Sequence, residues 1–512
     1  MGEPAEALTL FKNVKNSVEN ESADDIKQSI FNTHTEELII GLCGTIGSNI
    51  HLVSDTLVRI LENQYRYECK QIKLSEFIRK HCKLGEDTKG LQYYQNLINN
   101  GNELRQKYGG SILSELAINE IALNREQNTE DYNFTTKRIC YIIDSIKNKE
   151  ELELFQLVYR DLFYFIGVFS PLELRIRNLE NKGLNVSEIY KIIDRDSGED
   201  IDFGQKVSET FIEADFFLRL DTHSVDLIET KLRRYLNLIF SSSVLTPTEH
   251  ENAMYLASAA AGNSACLSRQ VGACITSKDG DVLSVGWNDV PKPGGGVYSF
   301  KPQDLLNNTD KRCIHFEEGI CYNDREKKVI SENLTDKLIE EGLIKKDDKN
   351  KLQQIIEKSR IKELIEFSRA VHAEMLAIIN ASQNTGNLVV NGNLYCTTYP
   401  CHNCARHIVA AGIKNVYFIE PYRKSLAVKL HSDSITERES EDSKVRLMIF
   451  EGVSPKRYLD FFKILTPRKK NGRKISVNLG EVRPKKSISL QAIPILEKKV
   501  TEDLKEKKVI EF

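Results

Sequence analysis

Two short motifs in the second half of the chain restrict its fold more than any other feature. His372-Ala-Glu374 sits in a segment with helical periodicity, RAVHAEMLAIINAS, and Pro400-Cys401-His-Asn-Cys404 opens another, PCHNCARHIVAAG, with the strand-like GNLYCTTY between them. Residues at i and i+3 of a helix share a face, so the sulfurs of Cys401 and Cys404 can reach one ion. Proline suits the first turn of a helix, where its missing N–H is an unpaired donor in any case. The helix N-terminus lowers thiol pKa values and favours the thiolate a metal needs. By itself the CxxC is equally a redox pair or two structural cysteines. With His372 it makes three protein ligands, the number a catalytic zinc uses when it keeps one position for water. Glu374 is then left to move protons, and it can converge with His372 only if their helix begins near residue 372.

A chain of 512 residues exceeds what one hydrophobic core supports, about 250–300 residues, so two or three domains are expected. Residues 36–61 read as a short apolar strand, a Gly-rich turn and an amphipathic helix. ICYIID (139–144) and FYFIGVF (163–169) read as buried parallel strands, each followed by a charged helical stretch, and DFFLRLD (215–221) precedes the helix DLIETKLRRYLNLIF. Strands alternating with helices indicate a doubly wound α/β domain with a parallel sheet. The polar SSSVLTPTEH (241–250), with Pro247, marks a boundary. Beyond it come a small-residue helix, ENAMYLASAAAGNSA, the strands QVGACIT and DVLSVGWN, and a Pro/Gly-rich loop. The charged residues 301–366 interrupt the pattern and read as a surface insertion, helical from SENLTDKLIEEGL onward. Alternation then resumes as far as NVYFIEPY. The stretch from Pro467 to Lys486 is rich in Lys and Arg, ahead of a short helix at 497–507. The expected domains are 1–244, 245–466 with its insertion at about 301–366, and a basic extension at 467–512.

Composition excludes several classes. Basic and acidic residues nearly balance, 71 against 74, for a formal charge of −3. A duplex-DNA binder normally shows a basic excess. No run approaches the ~18 apolar residues of a membrane span. MGEPAEALTLFKN lacks a basic start before an apolar core, so no secretory signal is expected. Glu6 stands where N-myristoylation wants Ser or Thr. Eleven cysteines, an odd number scattered along a chain without an export signal, point to a reducing cytoplasm and to thiols used as core filler or metal ligands.

The combination H-x-E…P-C-x-x-C is the signature of zinc-dependent nucleobase deaminases. Residues 250–425 resemble the deoxycytidylate (dCMP) deaminase branch of the cytidine deaminase superfamily. SRQVGACI (268–275) is similar to that branch's strand after the first helix, and GWNDVPKPGG (286–295) to its substrate loop. The resemblance implies a three-layer α/β/α domain, with Zn2+ on His372, Cys401 and Cys404 and Glu374 carrying protons as the 4-amino group is hydrolysed. It sets Asn288 on the sugar hydroxyl and Tyr422 beside the base; the alternative for Asn288 is an ordinary turn residue. Some members hold a second, structural zinc, for which Cys266, Cys313, His315 and Cys321 are candidates, the alternative being unrelated thiols. Arg423, Lys424 and Lys429 are either contacts to a triphosphate or a solvated face.

Residues 36–240 resemble P-loop nucleoside or nucleotide kinases through GLCGTIGS and the segments around ICYIID and FYFIGVF. Aligned on Gly44, Gly47 and Ser48, Ile50 takes the place of the phosphate-gripping lysine and His51 that of the Mg2+-binding hydroxyl. Phosphoryl transfer depends on that charge and is not expected. The loop's N–H groups could still cradle a phosphate, which leaves a nucleotide sensor or a scaffold. A degenerate kinase domain ahead of a dCMP-type deaminase resembles the bacterial anti-phage dCTP/dCMP deaminases, which deplete deoxycytidine nucleotides during infection. That resemblance implies a cytoplasmic homo-oligomer acting on dCTP or dCMP, a second regulatory nucleotide in the N-terminal domain, and no membrane or duplex-DNA partner. Two rival functions use the same motifs. Deamination of cytosine or adenine in RNA or single-stranded DNA would need a basic channel with stacking aromatics, and the single Trp and near-neutral charge weigh against it. An inactive nucleotide-sensing regulator would not require Glu374, because zinc ligation alone does not.

Overall fold

The computed structural model describes residues 30, 33–82, 90–126, 136–197, 206–221, 224–307, 309–317, 319–421, 425–464, 467–490 and 492–510. Among the described residues, five strands alternate with helices through the first half: β1 (Leu38–Gly44), β2 (Glu68–Lys73), β3 (Ile139–Asp144), β4 (Phe163–Phe169) and β5 (Phe216–Arg219). They pair parallel in the order β5-β4-β1-β3-β2. β1, β3 and β4 are buried at every position. A strand with helices on both faces has no solvent side, which is why these runs are apolar throughout and do not alternate. Leu38, Ile40 and Leu42 share a core with the helices Ile50–Tyr65 and Val225–Ile239, while Ile39 and Cys43 share one with Ile112–Glu126 and Lys149–Tyr159.

The second sheet is mixed and contains β6 (Gly272–Thr276), β7 (Val282–Trp287), β8 (Asn393–Thr398), β9 (Asn415–Glu420), β10 (Ile435–Thr436) and β11 (Val445–Ile449). Their order is β10-β11-β9-β8-β6-β7. β6 is antiparallel to β7 and β8, and the pairs from β8 out to β10 are parallel. Helix Glu249–Ala261 covers one face through Ala253 and Ala257; Ala373–Thr385 and His402–Ala410 cover the other. The second approach is close. A Cβ on Gly286 would lie 2.4 Å from the carbonyl oxygen of Ala373, so only glycine lets the first turn of that helix rest on β7.

The halves interlock. After β11, β12 (Gly452–Val453) crosses back and pairs antiparallel with β5 as a sixth strand of the first sheet. Buried Glu251 completes a capping box with Thr248, accepts from Val453 N–H at 2.9 Å, and pairs with Arg234 at 2.5 Å. The C-terminal residues also return to the first body. Thr35 and Leu490 donate backbone hydrogen bonds to Ile488 and Thr33, and helix Ile493–Glu506 packs on Ile112–Glu126. Between those helices the buried Arg125 holds Glu37 (2.5 Å) and Glu497 (2.9 Å). The basic stretch makes a small exposed hairpin, β13 (Lys469–Lys470) and β14 (Arg473–Lys474), turning on Asn471-Gly472 at positive φ.

Element ends differ from the sequence pattern in the insertion and near the C-terminus. The insertion's first long helix is Tyr322–Glu340, starting well before SENLTDKLIEEGL, and the last helix starts at Ile493 with Pro494 in its first turn, where proline is well tolerated.

Candidate active site

His372 and Cys401 are each the N-cap of a helix, Ala373–Thr385 and His402–Ala410. The motif places Pro400 in a first turn; the structure instead starts that helix at His402, with Cys401 as the cap. Its sulfur accepts from Cys404 N–H at 3.4 Å, doing what a capping side-chain oxygen usually does. His372 Nδ1 lies 3.3 Å from the sulfurs of both Cys401 and Cys404. Among the described residues, this is the one group of three or more His, Cys, Asp or Glu whose ligand atoms all fall within 4.8 Å of one another. Because the helix begins at Ala373, Glu374 lies in its first turn, and it is buried. The condition for Glu374 to converge with His372 is met.

The electrostatics follow from packing polar groups at two buried helix starts. The hydrogen bond with Cys404, and then that with His372, pulls the Cys401 thiol down to about 4, against burial. For His372 burial pushes downward, but the bond to Cys401 and the charge of Glu374 win, raising it to about 9. Burial raises Glu374 above the usual carboxylate range and the Cys404 thiol well above its own. One imidazole and two sulfurs at a point are a zinc donor set; calcium and magnesium take oxygen. The three residues therefore fit that ion, and they leave Glu374 uncommitted. A buried carboxyl with a raised pKa is suited to carrying protons near neutral pH.

A cleft of about 500 Å³ opens onto this group. Its walls come from Cys266, Ser268, Arg269 and Val271, from Ile365, Ser368 and Ala370, from Asn288 and Thr398-Tyr399, and from the insertion through Asn323, Asp324 and Lys327. Asn288 lines it and also braces it, accepting from Val271 N–H and donating to the Arg269 carbonyl, both at 2.8 Å. Tyr422, Arg423 and Lys424 lie outside the described residues. Tyr399 also lines the cleft, its ring edge-on to Phe418 at 4.8 Å and its hydroxyl donating to Glu437 at 2.8 Å. The available signal for it is its place between β8 and Pro400.

Residues 247–420 match the family model of the cytidine and deoxycytidylate deaminase zinc-binding region. This stretch is a cytidine deaminase-family domain. Deoxycytidylate deaminase of Enterobacteria phage T4 is 28% identical over 166 residues, covering 32% of this chain and 72% of that protein. ComE operon protein 2 of Bacillus subtilis (strain 168) is 43% identical over 56 residues, 11% of this chain and 29% of that protein. The dCMP deaminase of cyanophage S-TIM5, solved in complex with dCMP and dUMP, is 20% identical with a TM-score of 0.23, aligned over 40% of this chain and 99% of that one. Zinc is the ion this family region binds, and His372, Cys401 and Cys404 are the residues of the deaminase domain that fit it.

The second cysteine set behaves differently. Cys266 and Cys321 lie close enough to Cys313 to raise its thiol further, after burial. His315 faces Asp310 at 3.7 Å. Cys266, Cys313, His315 and Cys321 do not bring three ligand atoms within the 4.8 Å span that His372, Cys401 and Cys404 meet.

Ahead of the deaminase domain, the Gly44–Ser48 turn joins β1 to helix Ile50–Tyr65, with Gly47 at φ 87°. Ile46 N–H donates to the buried carboxylate of Asp196 at 2.6 Å, and Lys147 holds the other oxygen at 2.5 Å. A carboxylate of the chain itself thus sits on the turn. His51 pairs with Asp144 at the end of β3. A cavity of about 220 Å³ connects the turn with Tyr93, Tyr94, Lys147 and Lys182.

Proposed function

We propose that the protein hydrolyses the 4-amino group of free deoxycytidine nucleotides, dCTP or dCMP, to dUTP or dUMP and ammonia. Glu374 carries this reading. Zinc ligation needs only His372, Cys401 and Cys404, yet a buried carboxyl raised above its usual range lies in the same first turn and lines the cleft. When bound, Zn2+ supplies Lewis-acid activation of water. Glu374 takes a proton from the attacking water and returns it to the departing nitrogen as the C4–N bond breaks. Water adds, ammonia leaves, and no net proton or electron is exchanged. The deoxycytidylate deaminase activity named for the phage T4 and T2 relatives supports this substrate class.

The first body reads as a degenerate P-loop kinase-like domain that transfers no phosphate. A central buried strand, a Gly-rich turn and a helix support the likeness, and Ile50 and His51 in the lysine and hydroxyl places support the loss of catalysis. It serves as a scaffold or as a site for a regulatory nucleotide. Depletion of dCTP as an anti-phage defence, in a cytoplasmic homo-oligomer, is the biological role in keeping with this pairing. Incubating the purified full chain with dCTP, dCMP, single-stranded DNA and RNA, with products separated by chromatography, tests the reading. Uracil is expected in the mononucleotides; uracil or hypoxanthine appearing in the polymers alone would replace this function with nucleic-acid editing.

A further inference from the structure

We propose that the insertion reads the substrate: Lys327, together with Arg269, holds the phosphate, and Asn323 accepts from a hydroxyl of the sugar. This rests on the nucleotide-deaminase reading above. The reacting C4 has to lie at His372, Cys401 and Glu374, so the phosphate at the far end of the nucleotide lies away from them, along the cleft walls. Among the described lysines and arginines, those lining the cleft are Arg269 and Lys327.

Lys327 is held ready. Its side chain is 16% exposed, and its ammonium donates to the Lys362 carbonyl at 3.0 Å. An ammonium has three protons, so that bond fixes the group without exhausting it. The carboxylate paired with it, Asp324 at 3.8 Å, is 72% exposed and screened by solvent. Arg269 meets Glu420 at 3.1 Å with one terminal nitrogen. A lysine point charge and a guanidinium lining one cleft suit phosphate.

Asn323 adds an independent observation. Its Nδ2 donates to the Leu364 carbonyl at 3.0 Å, but its Oδ1 is buried with no hydrogen-bond partner. A buried acceptor left unpaired is costly, and in the wall of a cleft the missing donor is naturally a ligand's. Asn323 and Lys327 are four residues apart on one helix, hence on one face and about 6 Å apart along its axis. That places an acceptor and a cation side by side, as the neighbouring sugar and phosphate of one nucleotide require. The charged insertion is thereby a wall of the active site.

The test measures calorimetric affinity of the full, zinc-loaded chain for dUMP and deoxyuridine, alongside kcat/KM for dCMP and deoxycytidine. Lys327→Met should weaken dUMP binding about 10–100-fold and lower the dCMP-to-deoxycytidine ratio of kcat/KM by a similar factor. Lys327→Arg should restore most of both. Asn323→Leu should weaken dUMP and deoxyuridine alike, because the sugar is common to them. Circular dichroism and zinc content confirm that each variant is folded. Unchanged dUMP affinity and an unchanged ratio in Lys327→Met would overturn the phosphate assignment, and undiminished deoxyuridine binding in Asn323→Leu would overturn the sugar contact. If the wild-type chain neither binds dUMP nor releases ammonia from dCMP, the reading of the site itself falls instead.

Discussion

Cys401 and Cys404 do two jobs with one geometry. Cys401 caps a helix through its sulfur, and the same sulfur lies beside His372 and the Cys404 backbone. Replacing either cysteine with serine removes a soft ligand, so elemental analysis should show zinc lost from the chain, and deamination with it. Cys313→Ser decides the second cysteine set: a fall of one zinc ion per chain would establish a second site there, and an unchanged zinc content would sink it. His372, Glu374, Cys401 and Cys404 were legible in the sequence because their constraint is local: two short spacings at two helix starts. Tyr399, Arg269, Asn323 and Lys327 were not, because what matters about them is which wall they line, and the fold alone decides that.

The central strands were equally legible, since burial on both faces writes itself as an unbroken apolar run. β2, ECKQIK, escaped because it is an edge strand with polar residues, Glu68 and Gln71, at its exposed positions. β12 escaped because two residues carry no pattern at all. The C-terminal helix shows an energetic side of such elements. Arg125→Met would leave Glu37 and Glu497 buried without their cation, and urea unfolding should show a loss of about 3–5 kcal/mol. Burial already raises Glu497 above the usual carboxylate range. A carboxyl whose folded pKa is raised adds stability below that pKa and loses it as pH rises through it. The Arg125→Met deficit should therefore shrink as pH falls through the carboxylate range; a pH-independent deficit would show that the two carboxylates are not the cause. For the Gly44–Ser48 turn, labelled ATP with nucleoside monophosphates should yield no phosphorylated product. Turnover at an ordinary kinase rate would contradict the roles given to Ile50 and His51.

At the scale of the whole molecule, the two six-stranded sheets of the described residues are tied by returning chain. β12 completes the first sheet from beyond the second, Glu251 joins the two bodies, and Glu497 reaches Arg125 from near the C-terminus. The kinase test therefore uses the full chain, since residues 1–244 alone would lack β12 and the Ile493–Glu506 helix. This interlocking was not legible from composition or periodicity, which locate elements but not the partners they return to. The fold places a zinc donor set and one uncommitted carboxyl at a cleft, and the account stands on that carboxyl. The most direct measurement is ammonia release from dCMP and dCTP by the wild-type chain and by Glu374→Ala, with zinc quantified on the same samples. Expected is full zinc in both and a loss of about 10²–10⁴-fold in turnover for the variant, the usual contribution of a general acid–base group. Zinc retained with turnover undiminished in Glu374→Ala, or no ammonia from either nucleotide with the zinc-loaded wild type, would contradict it.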